Sequence, residues 1–206
     1  SPDLRVCLVF PDLYDLGMSN LALKIFYETL NDHPKIMAER AFSPWPDFEQ
    51  LLRHKNLPLY SLETGTPLHD FDALLITLPY EMTFTNVINL LDLGKIDLQW
   101  RNRDKGPMII AGGPSASNPL PVAMFMDAIL IGDGEEAIVE ICETLITAKQ
   151  ARADRSATRR ELAKIQGMWV PEFAASVKRR VFKGFAASRP PIKPVLPNVQ
   201  TVHNRA

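Results

Sequence analysis

The sequence predicts an α/β domain built on a doubly wound, parallel sheet of five strands with helices on both faces. The main observation is that short apolar runs alternate five times with segments whose apolar residues are spaced as on one face of a helix. Most of these runs are apolar almost without interruption, as in parallel strands that are buried on both faces. With 206 residues, of which 46% are hydrophobic, the chain is long enough for one full core plus an extension.

The bounds of the expected elements follow from where each run begins and ends. Arg5–Phe10 is an apolar run ended by Pro11, and Ser19–Leu30 has helical spacing. The same alternation predicts four further strands and four further helices: strands at Lys35–Glu39, Ala73–Leu78, Met108–Ala111 and Ala128–Ile131, and helices at Asp47–Arg53, Phe84–Leu93, Pro121–Phe125 and Glu135–Lys149. We expect a flavodoxin-like sheet with right-handed crossovers and the strand order 2-1-3-4-5.

We expect this domain to span residues 1–148, because both the pattern and the charge change after Ala148. Residues 1–148 carry 10 basic and 21 acidic side chains, whereas residues 149–206 carry 13 basic and 3 acidic ones. The extension is expected to contain a basic helix, a hairpin and a Pro-rich linker, at Ser156–Gln166, at Met168–Pro171 with Lys178–Phe182, and at Arg189–Pro197. A basic segment can bind RNA, act as a solvated linker or dock on an acidic partner. RNA is the less favoured partner, since the extension lacks interleaved aromatic residues that would stack on bases.

Several classes of function are excluded by what the sequence lacks. No apolar run is long enough to span a membrane and no secretory signal precedes the first strand, so we expect a cytoplasmic protein. The phosphate-binding patterns G-x-x-x-x-G-K-[ST] and G-x-G-x-x-G are absent, as is the nucleophile elbow G-x-S-x-G. Cys7 and Cys142 read as buried apolar residues, and the four histidines are isolated. We therefore assign no catalytic residue and no metal ligand in this chain.

In doubly wound sheets, ligands bind outside the carboxyl ends of the strands, so the loops at that edge are the candidate site. The first loop contains Asp12, Tyr14 and Gly17 in the spacing D-x-Y-x-x-G. This spacing resembles the D-x-H-x-x-G signature of cobalamin-binding domains, with Tyr14 in place of the histidine that ligates cobalt. A phenol is a poor neutral ligand beside imidazole, so any cobalamin would be held without a ligand from Tyr14. The alternative is an ordinary loop in which Asp12 and Asp15 make local hydrogen bonds.

Two further loops at this edge are rich in glycine. In the fourth loop, Gly112 and Gly113 directly follow a strand, where missing side chains would let a ligand approach the backbone. The same Gly-Gly-Pro sequence also makes a turn without any function. In the fifth loop, Asp133 is expected to cap the following helix with Glu136 as its capping-box partner, and these carboxylates argue against a phosphate site.

Taken together, the loops resemble the N-terminal, cobalamin-binding-like domain of an uncharacterised family of radical S-adenosylmethionine (radical SAM) proteins. The resemblance runs over residues 5–145 and rests on segments 14–21, 39–42, 67–72, 78–81, 112–119 and 132–136. By this resemblance, the residues expected to bind the cofactor are Asp12, Tyr14, Gly17, Ser19, Pro79, Tyr80, Gly112, Gly113, Pro114, Ser115, Gly132, Gly134 and Glu135.

The family resemblance also implies a second domain. In that family a Val-His-Asp-Arg-like segment precedes the cluster motif C-x-x-x-C-x-x-C, and Val202-His203-Asn204-Arg205 matches that segment. We therefore expect the [4Fe-4S] cluster and S-adenosylmethionine to be bound by a downstream domain of the same polypeptide, which would act on a substrate that the sequence does not identify. Three functions stay open: presentation of cobalamin, a cofactor-free module that shapes substrate access, and recognition of an RNA substrate by the basic extension.

Overall fold

The computed structural model describes residues 2–173, 176–184 and 191–199. Its centre is a six-stranded sheet with the order β2-β1-β3-β4-β5-β6. The first five strands are parallel, and β6 pairs antiparallel with β5. The strands are β1 at Leu4–Phe10, β2 at Ile36–Phe42, β3 at Ala73–Thr77, β4 at Met108–Gly112, β5 at Ala128–Leu130 and β6 at Met168–Trp169. The expected α/β class and the strand order 2-1-3-4-5 are thus confirmed.

Helices cover both faces of the sheet. They are α1 at Tyr14–Gly17, α2 at Leu21–Asn31, α3 at Pro46–Lys55, α4 at Phe84–Leu93, α5 at Ala137–Gln150 and α6 at Arg155–Leu162. The fourth crossover differs from the expected helix, because Leu120–Phe125 is a 3-10 helix. The segment has only six residues, and the tighter 3-10 turn is common in helical pieces of this length.

The alternation of side chains along β1 divides the core into two layers. Leu8 and Phe10 face α2 and α5, whereas Cys7 and Val9 face α3 and α4. Both cysteines, Cys7 and Cys142, are buried and neither forms a disulfide bond, as expected from their apolar surroundings. Burial raises the pKa of the Cys142 thiol to about 12, so it stays protonated at neutral pH. None of the helices in the described ranges is long and apolar enough to span a bilayer.

Strand β2 extends three residues beyond the expected end and includes two buried charged residues. Glu39 accepts hydrogen bonds from the hydroxyl groups of Ser61 and Thr64 and from the guanidinium of Arg5. Burial alone would raise the pKa of Glu39, but these hydrogen bonds outweigh it and lower the pKa. Residues 40–42, which follow the expected end of this strand, therefore belong to β2 rather than to the loop after it.

The chain after residue 148 packs against the same core. α6 contributes Leu162, and β6 extends the sheet, so its Met168 joins the layer between the sheet and α5. The expected hairpin does not form: Met168–Trp169 pairs with β5, whereas Arg180 bridges in parallel to Gly132. We call the segment 177–182, which runs along the end of β5, the strap. Part of the Pro-rich linker and the Val-His-Asn-Arg segment lie outside the described residues.

A candidate binding cavity at the carboxyl edge of the sheet

A cavity of about 500 Å³ opens at the carboxyl edge of the sheet and runs inward between the sheet, α2 and α5. Its inner walls are apolar side chains of the sheet and of both helices, and its mouth is formed by the loops after β3, β4 and β5. The volume lies within the range of about 300–1,000 Å³ that is typical of small-molecule sites. Seven of the expected cofactor-binding residues line it: Pro79, Gly112, Gly113, Pro114, Gly132, Gly134 and Glu135.

The two glycines at the end of β4, Gly112 and Gly113, lack a side chain for different structural reasons. Gly112 has the same orientation in β4 as Ile110, which faces α2 and α5, so a side chain at position 112 would point into the cavity. A Cβ there would meet its nearest neighbour, Leu130 Cβ, at an ordinary 3.5 Å. Gly113 has a φ of 118°, and its Cβ would lie 2.9 Å from the carbonyl oxygen of Leu78. The expectation that bulk at Gly113 would mainly occupy ligand space is therefore corrected: the backbone of Leu78 already excludes a side chain.

On the side of β5, the mouth of the cavity is closed by the strap. The backbone of Arg180 pairs with the carbonyl of Ile131, and a Cβ on Gly132 would lie 2.1 Å from the carbonyl oxygen of Arg180. Asp133 was expected to cap α5, but its carboxylate instead accepts a hydrogen bond from the backbone N–H of Phe182 at 2.8 Å. Glu136 is itself the N-cap residue and makes no side-chain cap, so the expected capping box is wrong.

Tyr80 and Asp12 form a pair beside the cavity rather than inside it. The Tyr80 phenol donates a hydrogen bond to the Asp12 carboxylate, which joins the loops after β3 and β1. This hydrogen bond, with a smaller effect of burial, raises the pKa of the Tyr80 phenol. Strands β1 and β3 are neighbours whose following helices cover opposite faces of the sheet, so the pair stands where ligands bind in such folds.

The other expected residues of the first loop serve the local structure. Tyr14 packs edge-on against Phe42, at 5.2 Å between ring centroids, and its hydroxyl accepts a hydrogen bond from the backbone N–H of Asn198. Gly17 is buried where a Cβ would come within 2.3 Å of the Phe42 ring. The hydroxyl of Ser19 donates to the carbonyl of Asp15. None of these residues lines the cavity.

Ser115 is likewise buried behind the mouth rather than exposed to the cavity. It belongs to a 3-10 helix, Pro114–Ser117, and its backbone N–H donates to the carbonyl of Leu78 at 3.1 Å. The same turn holds Gly113 against Leu78, so the loop after β4 is fixed to the end of β3. The Gly-Gly-Pro loop therefore has a structural role in addition to lining the cavity.

Sequence analysis missed a second cavity, of about 790 Å³, beyond the carboxyl end of β2. Aromatic side chains form much of its wall, among them Tyr14, Phe42, Trp45, Phe48 and Tyr60. The hydroxyl oxygen of Ser43, on the same wall, is buried and has no hydrogen-bond partner among the described residues. A cluster of aromatic and proline residues at 42–48 was the available signal for this surface.

Metal binding by side chains finds no support in the parts of the chain that the structure describes. No three His, Cys, Asp or Glu residues come together there in a way that could hold an ion. The cavity at the edge of the sheet is suited to binding an organic molecule, because its walls are mainly apolar and the glycine backbone at its mouth is open to a ligand.

Comparison with known proteins identifies a family, a curated relative and similar solved structures. The model of the family described as "Radical SAM proteins, N-terminal" matches residues 22–171. "Uncharacterized protein MJ0966" of Methanocaldococcus jannaschii is 28% identical over 132 residues, which are 64% of this chain and 24% of that protein. The chain thus spans about a quarter of the length of this curated relative.

Solved structures with a similar chain include two of the radical S-adenosylmethionine methyltransferase TsrM from Kitasatospora setae. The structure with tryptophan substrate and a SAM analogue has a TM-score of 0.49 and 15% identity, over 92% of this chain and 30% of that chain. The structure with cobalamin and a [4Fe-4S] cluster has a TM-score of 0.41 and 16% identity, over 80% and 26%.

Proposed function

Since this chain belongs to the family of N-terminal domains of radical SAM proteins, we propose that it holds cobalamin at the carboxyl edge of its sheet and presents it to a radical SAM domain of the same polypeptide. The observation that carries the proposal is the cavity that enters between the sheet, α2 and α5 at that edge. Such a cavity accepts an elongated part of a ligand, while a larger flat part covers the edge outside it.

The residues present fit this cofactor on three counts. The cavity walls are mainly apolar, so they favour the burial of an organic group over that of free phosphate. Gly112 leaves open the space that its side chain would fill. Glu135, which also lines the cavity, has a buried carboxylate oxygen with no partner among the described residues, so a ligand could supply its hydrogen bond.

In this proposal the chain binds and orients the cofactor and excludes water. When bound, cobalamin would supply methyl-transfer or redox chemistry, and the [4Fe-4S] cluster and S-adenosylmethionine would belong to the other domain. The loops after β3, β4 and β5 would hold the buried part, and Asp12 with Tyr80 would flank the exposed part. Tyr14 would not ligate cobalt, because its hydroxyl is engaged by Asn198 and its ring packs against Phe42.

The test is a titration of the purified chain with hydroxocobalamin, followed by absorbance and calorimetry. We expect saturable binding, a spectrum without a nitrogen ligand from the protein, and loss of binding in Gly112→Val, whose side chain would fill the cavity. Ser43→Val is the matched control, because it adds bulk at the same edge but on the wall of the second cavity. Absence of binding at high micromolar hydroxocobalamin would refute the proposal.

A second candidate is a cofactor-free module that shapes substrate access. The second cavity favours it, because an aromatic wall with the exposed Trp45 offers contact area to another molecule at the same edge. The titration separates the two candidates: this module would leave hydroxocobalamin unbound by the wild-type chain. Binding that is lost in Gly112→Val but kept in Ser43→Val would favour the cofactor role.

A further inference from the structure

Four carboxylates lie at the start of α5, and only one of them has a buried oxygen without a hydrogen bond among the described residues. Asp133 accepts from the strap, while Glu136 and Glu140 pair with the guanidinium of Arg180. Glu135 is the exception: its Oε2 atom is buried and has no partner in the described ranges. The strap thus supplies its hydrogen bonds and charge to the carboxylates around Glu135 and leaves Glu135 unsatisfied.

An unsatisfied buried carboxylate oxygen destabilises the ligand-free protein. Burial separates it from bulk water, and no donor among the described residues replaces that solvation. Ordinary helix-start chemistry does not require the arrangement, since Glu135 precedes the N-cap residue of α5 and makes no cap. A cost of this kind is typical of a binding group that is held ready for a ligand.

The surroundings of Glu135 determine which ligand group it would accept. It lines the cavity together with Gly134 and Ile138, and Asp133 adds a second carboxylate at the same mouth. Arg179 also lines the mouth and pairs with Asp133 at 3.4 Å, so Glu135 is the carboxylate there without a cationic partner among the described residues, and it would repel a phosphate placed beside it. A neutral donor, either a hydroxyl group or an amide N–H, would satisfy the oxygen without adding negative charge.

We propose that Glu135 is a ready-placed hydrogen-bond acceptor that selects a hydroxyl or amide N–H of the ligand entering the cavity. The inference rests on the proposed function, because cobalamin carries amide groups on its ring and hydroxyl groups in its nucleotide tail. It adds to that function a specificity-determining residue and the chemical class of the group that it recognises. Glu135 acts in binding and has no catalytic role.

The first measurement is the thermal unfolding midpoint of the ligand-free chain. Glu135→Leu keeps a similar size and removes the unsatisfied acceptor, so we expect the midpoint to rise by about 2–4 °C. Glu136→Leu is the matched control, because it replaces an exposed neighbouring carboxylate at the mouth, and we expect no rise. A lower midpoint in Glu135→Leu would overturn the inference, since it would mean that the carboxylate stabilises the fold.

The second measurement is the affinity of the same variants for hydroxocobalamin. We expect Glu135→Leu to bind about tenfold more weakly or worse, because an accepted hydrogen bond to a charged group is lost. Glu135→Gln keeps an acceptor oxygen and should bind within a few-fold of the wild-type chain. Glu136→Leu should bind as the wild-type chain does.

The outcomes distinguish this inference from the proposed function. If the wild-type chain binds hydroxocobalamin and Glu135→Leu binds it equally well, the role of Glu135 is refuted and the proposed function stands. If the wild-type chain does not bind it, the proposed function is refuted and the assignment of the ligand group falls with it. A raised midpoint with weakened binding, restored by Glu135→Gln, supports the inference.

Discussion

The phenol of Tyr80 donates a hydrogen bond to the carboxylate of Asp12, and this contact ties the loop after β3 to the loop after β1. These two strands are neighbours in the sheet, and the point where they meet is the point where the helices change faces. The pair therefore lies at the edge of the sheet where ligands bind in such folds. Its effect on the pKa of Tyr80 makes it measurable.

The first prediction concerns the titration of Tyr80. The hydrogen bond to Asp12 raises the pKa of the phenol, because the ionised phenolate could not donate it and would lie beside a carboxylate. In Asp12→Asn we expect Tyr80 to ionise at lower pH than in the wild-type chain. Phenolate absorbance measures this, with Tyr80→Phe as the blank that isolates one phenol among four. An unchanged titration in Asp12→Asn would contradict the contact.

The direction of the pH effect on stability follows from the same shift. Because the folded-state pKa of Tyr80 is raised above its unfolded value, the contribution is fully present below the unfolded pKa, near 10. It is lost as the pH rises through the folded-state pKa. The difference in unfolding midpoint between the wild-type chain and Tyr80→Phe should therefore shrink only at strongly alkaline pH.

The second prediction compares the two adjacent glycines. Gly113→Val forces a side chain onto a φ of 118° and against the backbone of Leu78, so we expect a loss of about 2–5 kcal/mol in the free energy of unfolding. Gly112→Val should cost roughly 1 kcal/mol or less, because its Cβ makes an ordinary contact with Leu130 and the remainder points into the cavity. Urea unfolding of the ligand-free variants measures both. Equal losses would show that the two positions do not differ as described.

The third prediction concerns Asp127, which is fully buried and anchors α6 to the sheet. Its carboxylate contacts the guanidinium groups of Arg103, Arg155 and Arg159 and accepts the backbone N–H of Ile109. Asp127→Asn leaves Arg103 and Arg155 without their counter-ion, whereas Arg159 keeps Glu172, and we expect a loss of about 3–5 kcal/mol in the free energy of unfolding.

The control for Asp127→Asn is Asp104→Asn, which changes an exposed carboxylate and should alter stability by less than about 0.5 kcal/mol. Thermal or urea unfolding measures both variants. A small loss in Asp127→Asn would mean that α6 is held by its apolar contacts rather than by this cluster.

The sheet could be predicted from the sequence because its strands are apolar on both faces, and a continuous apolar run carries that information locally. The end of β2 could not be predicted, because charged residues such as Glu39 and Arg40 are usually exposed to solvent. They are buried by partners far along the chain, such as Ser61 and Glu63. Local pattern contains no sign of such pairing.

The same limit applies to the site. Gly112 was identified because glycine directly after a strand is a local signal, Gly134 was identified by the family resemblance, and both line the cavity. The use of Asp133 was missed, because its partner is the strap, nearly fifty residues away, and capping was the nearest local explanation. Tyr14 was assigned to the site from the motif alone. In the structure its ring packs against Phe42 and its hydroxyl accepts a hydrogen bond from the backbone N–H of Asn198.

The last prediction concerns RNA and the basic extension. Several of its arginines are already paired with carboxylates of the same chain: Arg155 with Asp127, Arg159 with Glu172, and Arg180 with Glu140. Pairing of this kind leaves fewer cations for phosphate groups than the sequence suggests. We therefore expect weak, sequence-independent RNA binding by the wild-type chain.

Because such binding would depend on release of counter-ions, the affinity should fall roughly tenfold or more between 50 and 200 mM salt. Fluorescence anisotropy with two labelled RNAs of equal length and different sequence measures both properties. Lys178→Ala with Lys183→Ala, which removes two charges from the strap and the residue next to it, should lower the affinity for both RNAs equally. Tight binding of one RNA that persists at 200 mM salt would contradict this reading, since it would require contacts to bases, and would make RNA recognition the leading function of the extension.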